Sequence, residues 1–283
     1  MGTLPNLIVI GSPKCGTTSL HYYLGLHPEI FMSRDKELNF FMEEKNWQRG
    51  LDWYQAQFQT DRQVSIRGEA SPGYTHFPIF RGVPQRMHSI VPEARLIQIV
   101  RDPRKRLLSH YFHELALGQG NVEQDINREA DRIDDSYVVT ASRQGLQLEL
   151  YLQYYKQAQI LILTQEEFAR NRSQTLRRVF RFLSVDDSFE SPEFSQMLNV
   201  GETMVTNPVG SALMKTIHHA GVGSRLPPGI KSPIRKALRW TFSRPIERPP
   251  LDREFEQRLL NIFREDTERL RRLTGMRFED WCV

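Results

Sequence analysis

Near its start the chain reads Gly11-Ser12-Pro13-Lys14-Cys15-Gly16-Thr17-Thr18, directly after the apolar run Leu7-Ile8-Val9-Ile10. A glycine-rich turn from a buried strand into a helix start aims several backbone N–H groups, and the positive end of the helix dipole, at one point. That point suits an anion. Gly11 and Gly16 have the spacing of a G-x-x-x-x-G-K-[ST] phosphate loop, but Thr17 holds the lysine position and the loop's lysine, Lys14, comes earlier. The helix-borne lysine with which an ordinary NTPase grips terminal phosphates is therefore missing. A second basic group, Arg101-Asp102-Pro103, follows the apolar run 96–100 and leads to Arg104, Lys105, Arg106 and Ser109. Ligands of open α/β sheets bind beyond the carboxyl ends of strands, where Arg101 falls. Pro103 suits a first helical position, which puts Ser109 about two turns into the helix. Asp102 stands where a Walker B acid would, but without the Walker lysine it is not read as one.

Such residues need a scaffold that gathers strand ends. Short apolar runs at 7–10, 30–32, 64–67, 96–100 and 160–163 are expected strands, and 17–26, 79–90, 103–117, 143–155 and 173–183 expected helices. The alternation argues for βαβ units, hence an α/β fold with a mainly parallel sheet. Ile160-Leu161-Ile162-Leu163 is unbroken, as in a strand covered on both faces. Residues 201–250 are rich in glycine and proline and are expected to form a variable loop or lid segment with short helices. Over 252–274, Phe255, Leu259, Ile262, Leu270 and Leu273 mark an apolar helical stripe that Gly275 ends. There is no internal repeat, and 1–283 is expected to be a single domain.

Together the two motifs resemble the sulfotransferases that use 3′-phosphoadenosine 5′-phosphosulfate. Pro13-Lys14-Cys15-Gly16-Thr17-Thr18 is similar to their 5′-phosphosulfate loop, and Arg101-Asp102-Pro103 with Ser109 to their 3′-phosphate motif. The heparan-sulfate branch and its bacterial relatives are nearest. That likeness rests on Leu26-His27-Pro28-Glu29-Ile30, Lys36-Glu37-Leu38-Asn39-Phe40-Phe41, Glu69-Ala70-Ser71-Pro72-Gly73-Tyr74, Arg178-Val179-Phe180-Arg181-Phe182-Leu183, and the closing Leu273-Thr274-Gly275-Met276 with Trp281. The resemblance implies a P-loop NTPase-like three-layer sandwich and sulfuryl transfer to an acceptor hydroxyl or amine, with no metal. It also implies roles. Lys14 contacts the donor sulfate and the leaving oxygen; Gly16, Thr17 and Thr18 hold the 5′-phosphate, with Cys15 and Ser19 in the same turn. Arg101 and Ser109 hold the 3′-phosphate, and Glu37 is the catalytic base, its basicity raised by the neighbouring rings of Phe40 and Phe41. Gly223-Ser224-Arg225 stands in for a Lys-Gly-Arg segment and adds Arg225 to the nucleotide contacts. Asn39, Ala70 and Gln144 depart from the branch and, with 201–250, are expected to choose the acceptor, whether a carbohydrate, small-molecule, lipid or carrier-bound hydroxyl.

Composition bounds the rest. The chain has 283 residues, 39% hydrophobic and 25% charged, an ordinary globular balance. Its net charge of +4 and pI near 9.1 fit an anionic ligand without requiring nucleic acid. Two cysteines make no disulfide framework and suggest a reducing compartment. No apolar run approaches the roughly 20 residues of a membrane span, and the first residues have no signal-peptide pattern. A soluble cytoplasmic protein, or a soluble domain of a longer one, is expected. Residues 231–242 offer an amphipathic face for peripheral contact with a membrane or partner. His110, His113 and Glu114 share a helix face but lack the H-E-x-x-H order of a zinc site. A P-loop kinase or NTPase, and a non-catalytic nucleotide-binding module, are the competing readings.

Overall fold

β1 (Leu7–Gly11) is buried at every position, as an apolar run without polar alternation demands of a strand covered on both faces. The computed structural model to which it belongs describes residues 3–118, 120–196, 204–206, 243–245 and 250–283. β1 is the middle of a five-stranded sheet ordered β2-β3-β1-β4-β5. Its partners are β2 (Ile30–Met32), β3 (Ile66–Ala70), β4 (Arg95–Val100) and β5 (Ile160–Thr164). Every pairing is parallel, with Leu7 opposite both Gly68 and Arg95. Outside this sheet, β6 (Met204–Thr206) and β7 (Ser243–Pro245) pair antiparallel.

Helices cover both faces. Those of the first half are α1 (Thr17–Leu26), α2 (Gly50–Ala56), α3 (Val83–Ile90) and α4 (Pro103–Leu117). The second half supplies α5 (Tyr137–Thr140), α6 (Gln144–Leu152), α7 (Gln165–Arg170), α8 (Arg172–Leu183) and α9 (Arg253–Thr274). The period of 2 along a strand sends alternate side chains to opposite layers. Ile8 and Ile10 of β1 join Leu96 of β4, Met87 of α3, Tyr151 of α6 and Leu270 of α9 in one core. Leu7 and Val9 join Leu20 and Leu24 of α1 and Val179 and Leu183 of α8 in the other. A third cluster packs Leu107 and Tyr111 of α4 against Phe255, Leu259 and Phe263 of α9. The expected three-layer α/β sandwich is what the chain adopts.

Departures from the expected elements have local causes. The strand expected at 64–67 runs instead to Ala70, because Glu69 is accommodated inside the sheet by hydroxyl partners that a hydropathy pattern does not register. The helix expected from 79 begins at Val83, since Gly82 takes a left-handed φ of 69° that interrupts it. α7 was not anticipated; Thr164 at the end of β5 caps it by accepting the Glu167 N–H at 3.2 Å. Arg225 and the whole of 231–242 lie outside the described residues.

Candidate active site

The segments that leave the five parallel strands converge on one cavity of about 920 Å³. Lys14 comes from the loop after β1, Lys36 and Glu37 from that after β2, and Gly73 and His76 from that after β3. Arg101, Lys105 and Ser109 follow β4, and Gln165 and Phe168 follow β5. A parallel sheet puts all these turns at one edge, so residues far apart in sequence meet there.

The phosphate loop is held tightly at its back and left open at its front. Ser12 N–H donates to the Ile99 carbonyl at 2.8 Å and Cys15 N–H to the Ser12 carbonyl at 3.2 Å. Lys14 and Gly16 adopt left-handed φ values of 68° and 94°. For glycine this is inexpensive, while for lysine it stores strain of about 1 kcal/mol or more. Neither a capping side chain nor an acidic residue occupies the first turn of α1. Its leading N–H groups, with Thr17, Thr18 and Ser19 on the cavity wall, thus form an anion cradle. Cys15 is fully buried and faces away from the cavity wall, toward the Pro13 carbonyl and Gln144. It fills the turn.

Arg101 approaches from β4, and its guanidinium donates to the Lys14 carbonyl at 3.2 Å, so the two basic residues are physically linked. Gln144 clamps the Arg101 backbone: Oε1 accepts its N–H at 2.9 Å and Nε2 donates to its carbonyl at 2.6 Å. The expectation that Gln144 helps choose the acceptor is therefore corrected; it is buried behind the basic residue. Asp102 caps α4, accepting the Arg104 and Lys105 N–H groups at 3.0 and 3.1 Å, and its other oxygen accepts the Cys282 N–H. Arg106, fully buried, is a brace that sequence reading passed over as one more helical cation. It donates to the Pro13 carbonyl, the Ser142 hydroxyl and the Val138 carbonyl at 3.1, 2.9 and 2.8 Å. An arginine without exposure and with no carboxylate at hand signals backbone carbonyl acceptors, but sequence alone does not show its burial.

Glu37 also lines the cavity, its N–H held by the Ala70 carbonyl at 2.9 Å. Its side chain is 54% exposed and receives Lys36 Nζ at 2.6 Å. Phe40 and Phe41 do not cover it, contrary to expectation; they pack inward on Tyr54, the Phe40 pair stacked at 4.2 Å. Ala70 is buried, whereas Asn39 lines the cavity. Sequence reading also missed a neutral aromatic wall. His76 Nε2 donates to the Tyr137 carbonyl at 2.5 Å and its ring lies 4.0 Å from the Tyr137 ring. His110 Nδ1 accepts from Arg106 at 3.2 Å, which turns Nε2 toward Glu114 at 3.4 Å. Burial and nearby positive groups push His76 down to about 3 and His110 well below the usual imidazole range. Both rings are neutral at physiological pH. A histidine pair split across the β3 loop and α4 leaves no spacing signal.

A family model for the sulfotransferase domain matches residues 4–203. The human bifunctional heparan sulfate N-deacetylase/N-sulfotransferase 2 is 26% identical over 196 residues, which is 64% of this chain and 22% of that protein. The membrane-associated sulfotransferase kil1 of Dictyostelium discoideum is 34% identical over 142 residues, covering 46% of this chain and 29% of kil1. The chain thus matches less than a third of the length of either relative. Among solved structures, a sulfotransferase from Alicyclobacillus acidocaldarius has the same fold, with a TM-score of 0.70 at 22% identity over 99% of this chain and 100% of that one. No helix among the described residues is long and apolar enough to cross a membrane. With the family match over most of the sheet and an anion cradle at its edge, the chain belongs to the sulfotransferase family.

Proposed function

We propose that this sulfotransferase moves the sulfuryl group of 3′-phosphoadenosine 5′-phosphosulfate to an acceptor hydroxyl by in-line attack. The observation that carries the reading is the meeting of Lys14, Arg101 and Glu37 on one cavity that the uncapped start of α1 also lines. A donor with phosphates at both ends of a nucleoside needs more than one cation, and the loops after β1 and β4 bring Lys14 and Arg101 to the same cavity. In the proposed step the acceptor oxygen bonds to sulfur as Glu37 takes its proton, and the bond from sulfur to the 5′-phosphate oxygen breaks. Negative charge collects on that leaving oxygen, where Lys14 and the N–H groups around Gly16 and Thr17 meet it without reorganising. Thr18 and Ser19 extend the same cradle. Arg101 and Ser109, in this reading, hold the 3′-phosphate and set the depth of the donor.

The acceptor is read as a hydroxyl of a carbohydrate, a small molecule or a carrier-bound chain. The lysine of heparan-acting enzymes is replaced by buried Ala70, which removes one cation for a sulfated polysaccharide. Two measurements test the function. Titration with adenosine 3′,5′-bisphosphate should raise the melting temperature at micromolar ligand, whereas magnesium-dependent stabilisation by ATP alone would favour a kinase or NTPase. Mass spectrometry after incubation with donor and pooled hydroxyl and amine acceptors should show a sulfated hydroxyl product. Glu37→Gln should keep bisphosphate binding and lose transfer by about 100-fold or more; unchanged turnover would remove Glu37 from its role.

A further inference from the structure

Glu69, in β3, has no exposed surface, and the transfer step does not use it. Three hydroxyls converge on its carboxylate. Tyr54 and Tyr74 donate to Oε1 at 2.6 and 3.0 Å, and Ser71 donates to Oε2 at 2.6 Å. A hydroxyl has one proton to give and lone pairs with which to accept. With their protons turned toward Glu69, Ser71 and Tyr74 present lone pairs to the loop that carries Glu37. Asn39 N–H donates to Ser71 Oγ at 3.0 Å, and Phe41 N–H lies 3.4 Å from the Tyr74 hydroxyl oxygen. Tyr54 holds the residue between them, its ring stacked on Phe40 at 4.2 Å and 7°. Each group that binds Glu69 therefore also grips one of three consecutive loop residues.

We propose that Glu69 is a positioning residue: by fixing the proton direction of Ser71 and Tyr74 it locks residues 39–41 and thereby sets where the Glu37 carboxylate stands. The loop needs such an anchor. Glu37 and Asn39 have left-handed φ values of 66° and 49°, conformations that cost non-glycine residues of order 1 kcal/mol or more unless their surroundings enforce them. An ionised carboxylate only accepts, so it imposes one orientation on all three hydroxyls. A glutamine in its place turns an NH₂ toward at least one of them, and that hydroxyl must swing its proton away from residue 69, where it competes with the loop N–H for room on the oxygen. The consequence for turnover rests on the reading of Glu37 as base; the consequence for loop order does not.

The test compares Glu69→Gln, Ser71→Ala, Ser71→Thr and Glu37→Gln in the full chain. Amide hydrogen exchange over 37–41, bisphosphate affinity and single-turnover transfer are measured for each. Ser71→Ala should speed exchange at Asn39 by about tenfold and slow transfer by about tenfold, with bisphosphate affinity held within about twofold. Ser71→Thr, which keeps the hydroxyl, should restore both. Adding Ser71→Ala to Glu69→Gln should cost less than Ser71→Ala costs alone, since the two act through one bond. Unchanged exchange and transfer in Ser71→Ala and Glu69→Gln would overturn the proposal. So would an equal loss of bisphosphate affinity, which marks a disturbance of the whole fold. Should Glu69→Gln fail to fold, Ser71→Ala and Tyr74→Phe decide the matter. If Glu37→Gln leaves transfer intact, the base assignment fails, and the exchange data still judge the anchor.

Discussion

Lys14 carries its charge on a backbone twisted to a φ of 68°, with its carbonyl accepting from Arg101. Lys14 lines the cavity. Lys14→Ala is expected to slow transfer by about 10²- to 10³-fold, the usual cost of removing one preorganised partner of a developing oxyanion. Bisphosphate affinity should fall much less, because the N–H groups of the turn stay in place; a loss of affinity as large as the loss of rate would assign Lys14 to ground-state binding instead. Cys15, its neighbour, gives a second residue-scale test. Burial pushes its thiol up to about 12, and thiolate is the reactive form. Iodoacetamide at pH 8 should therefore modify exposed Cys282 and spare Cys15, with transfer activity retained; peptide mapping that finds Cys15 alkylated in the folded enzyme would contradict this.

At the scale of elements, the joint between β4, α4 and α6 holds Arg101 and the phosphate loop in place. Gln144 at the start of α6 ties α6 to the end of β4 through two bonds to Arg101, and Arg106 of α4 ties the phosphate loop to the 138–142 segment. Gln144→Ala removes the partners of a half-buried N–H and carbonyl, at about 1 kcal/mol or more. It should weaken bisphosphate binding about tenfold, measured by calorimetry, while a variant that loses thermal stability yet binds normally would show that Arg101 keeps its place unaided. This joint also marks the limit of what one sequence discloses. β1, β2 and α4 were legible because Leu7 to Ile10 are uniformly apolar and Asp102-Pro103 announces a helix start. The phosphate loop was legible because glycine spacing encodes a turn. β3 was misplaced by its carboxylate, and the roles of Gln144 and Arg106 were misread, since their partners are backbone groups contributed by other elements. Periodicity reports on a residue's own element; it is silent on long-range polar bonds.

For the molecule as a whole, the buried titratable groups set its response to acid. His76 and His110 are neutral in the folded protein, with imidazoles held down by burial and neighbouring positive charge. The unfolded chain binds a proton at each below pH ~6.5 and the folded one does not, so stability is complete above that pH and lost as pH falls toward about 3. The His76 shift lowers the unfolding free energy by about 2 kcal/mol between pH 7 and 5, and His110 acts in the same direction. Asp266 works against them. Burial raises its carboxyl to about 6, although the Gly145 and Leu146 N–H groups favour the charge. A raised carboxyl favours the protonated folded state, so its contribution is present at low pH and lost as pH rises through about 6. Going from pH 7 to 5 it returns about 1 kcal/mol, less than the His76 loss alone, so stability declines on acidification. Urea denaturation at pH 7, 6 and 5 should show that decline. His76→Asn, which keeps a donor for the Tyr137 carbonyl, should flatten it, and Asp266→Asn should steepen it. Parallel pH dependences in wild type and His76→Asn would mean that the imidazole gains its proton without unfolding, with the wall that His76 and Tyr137 form opening first.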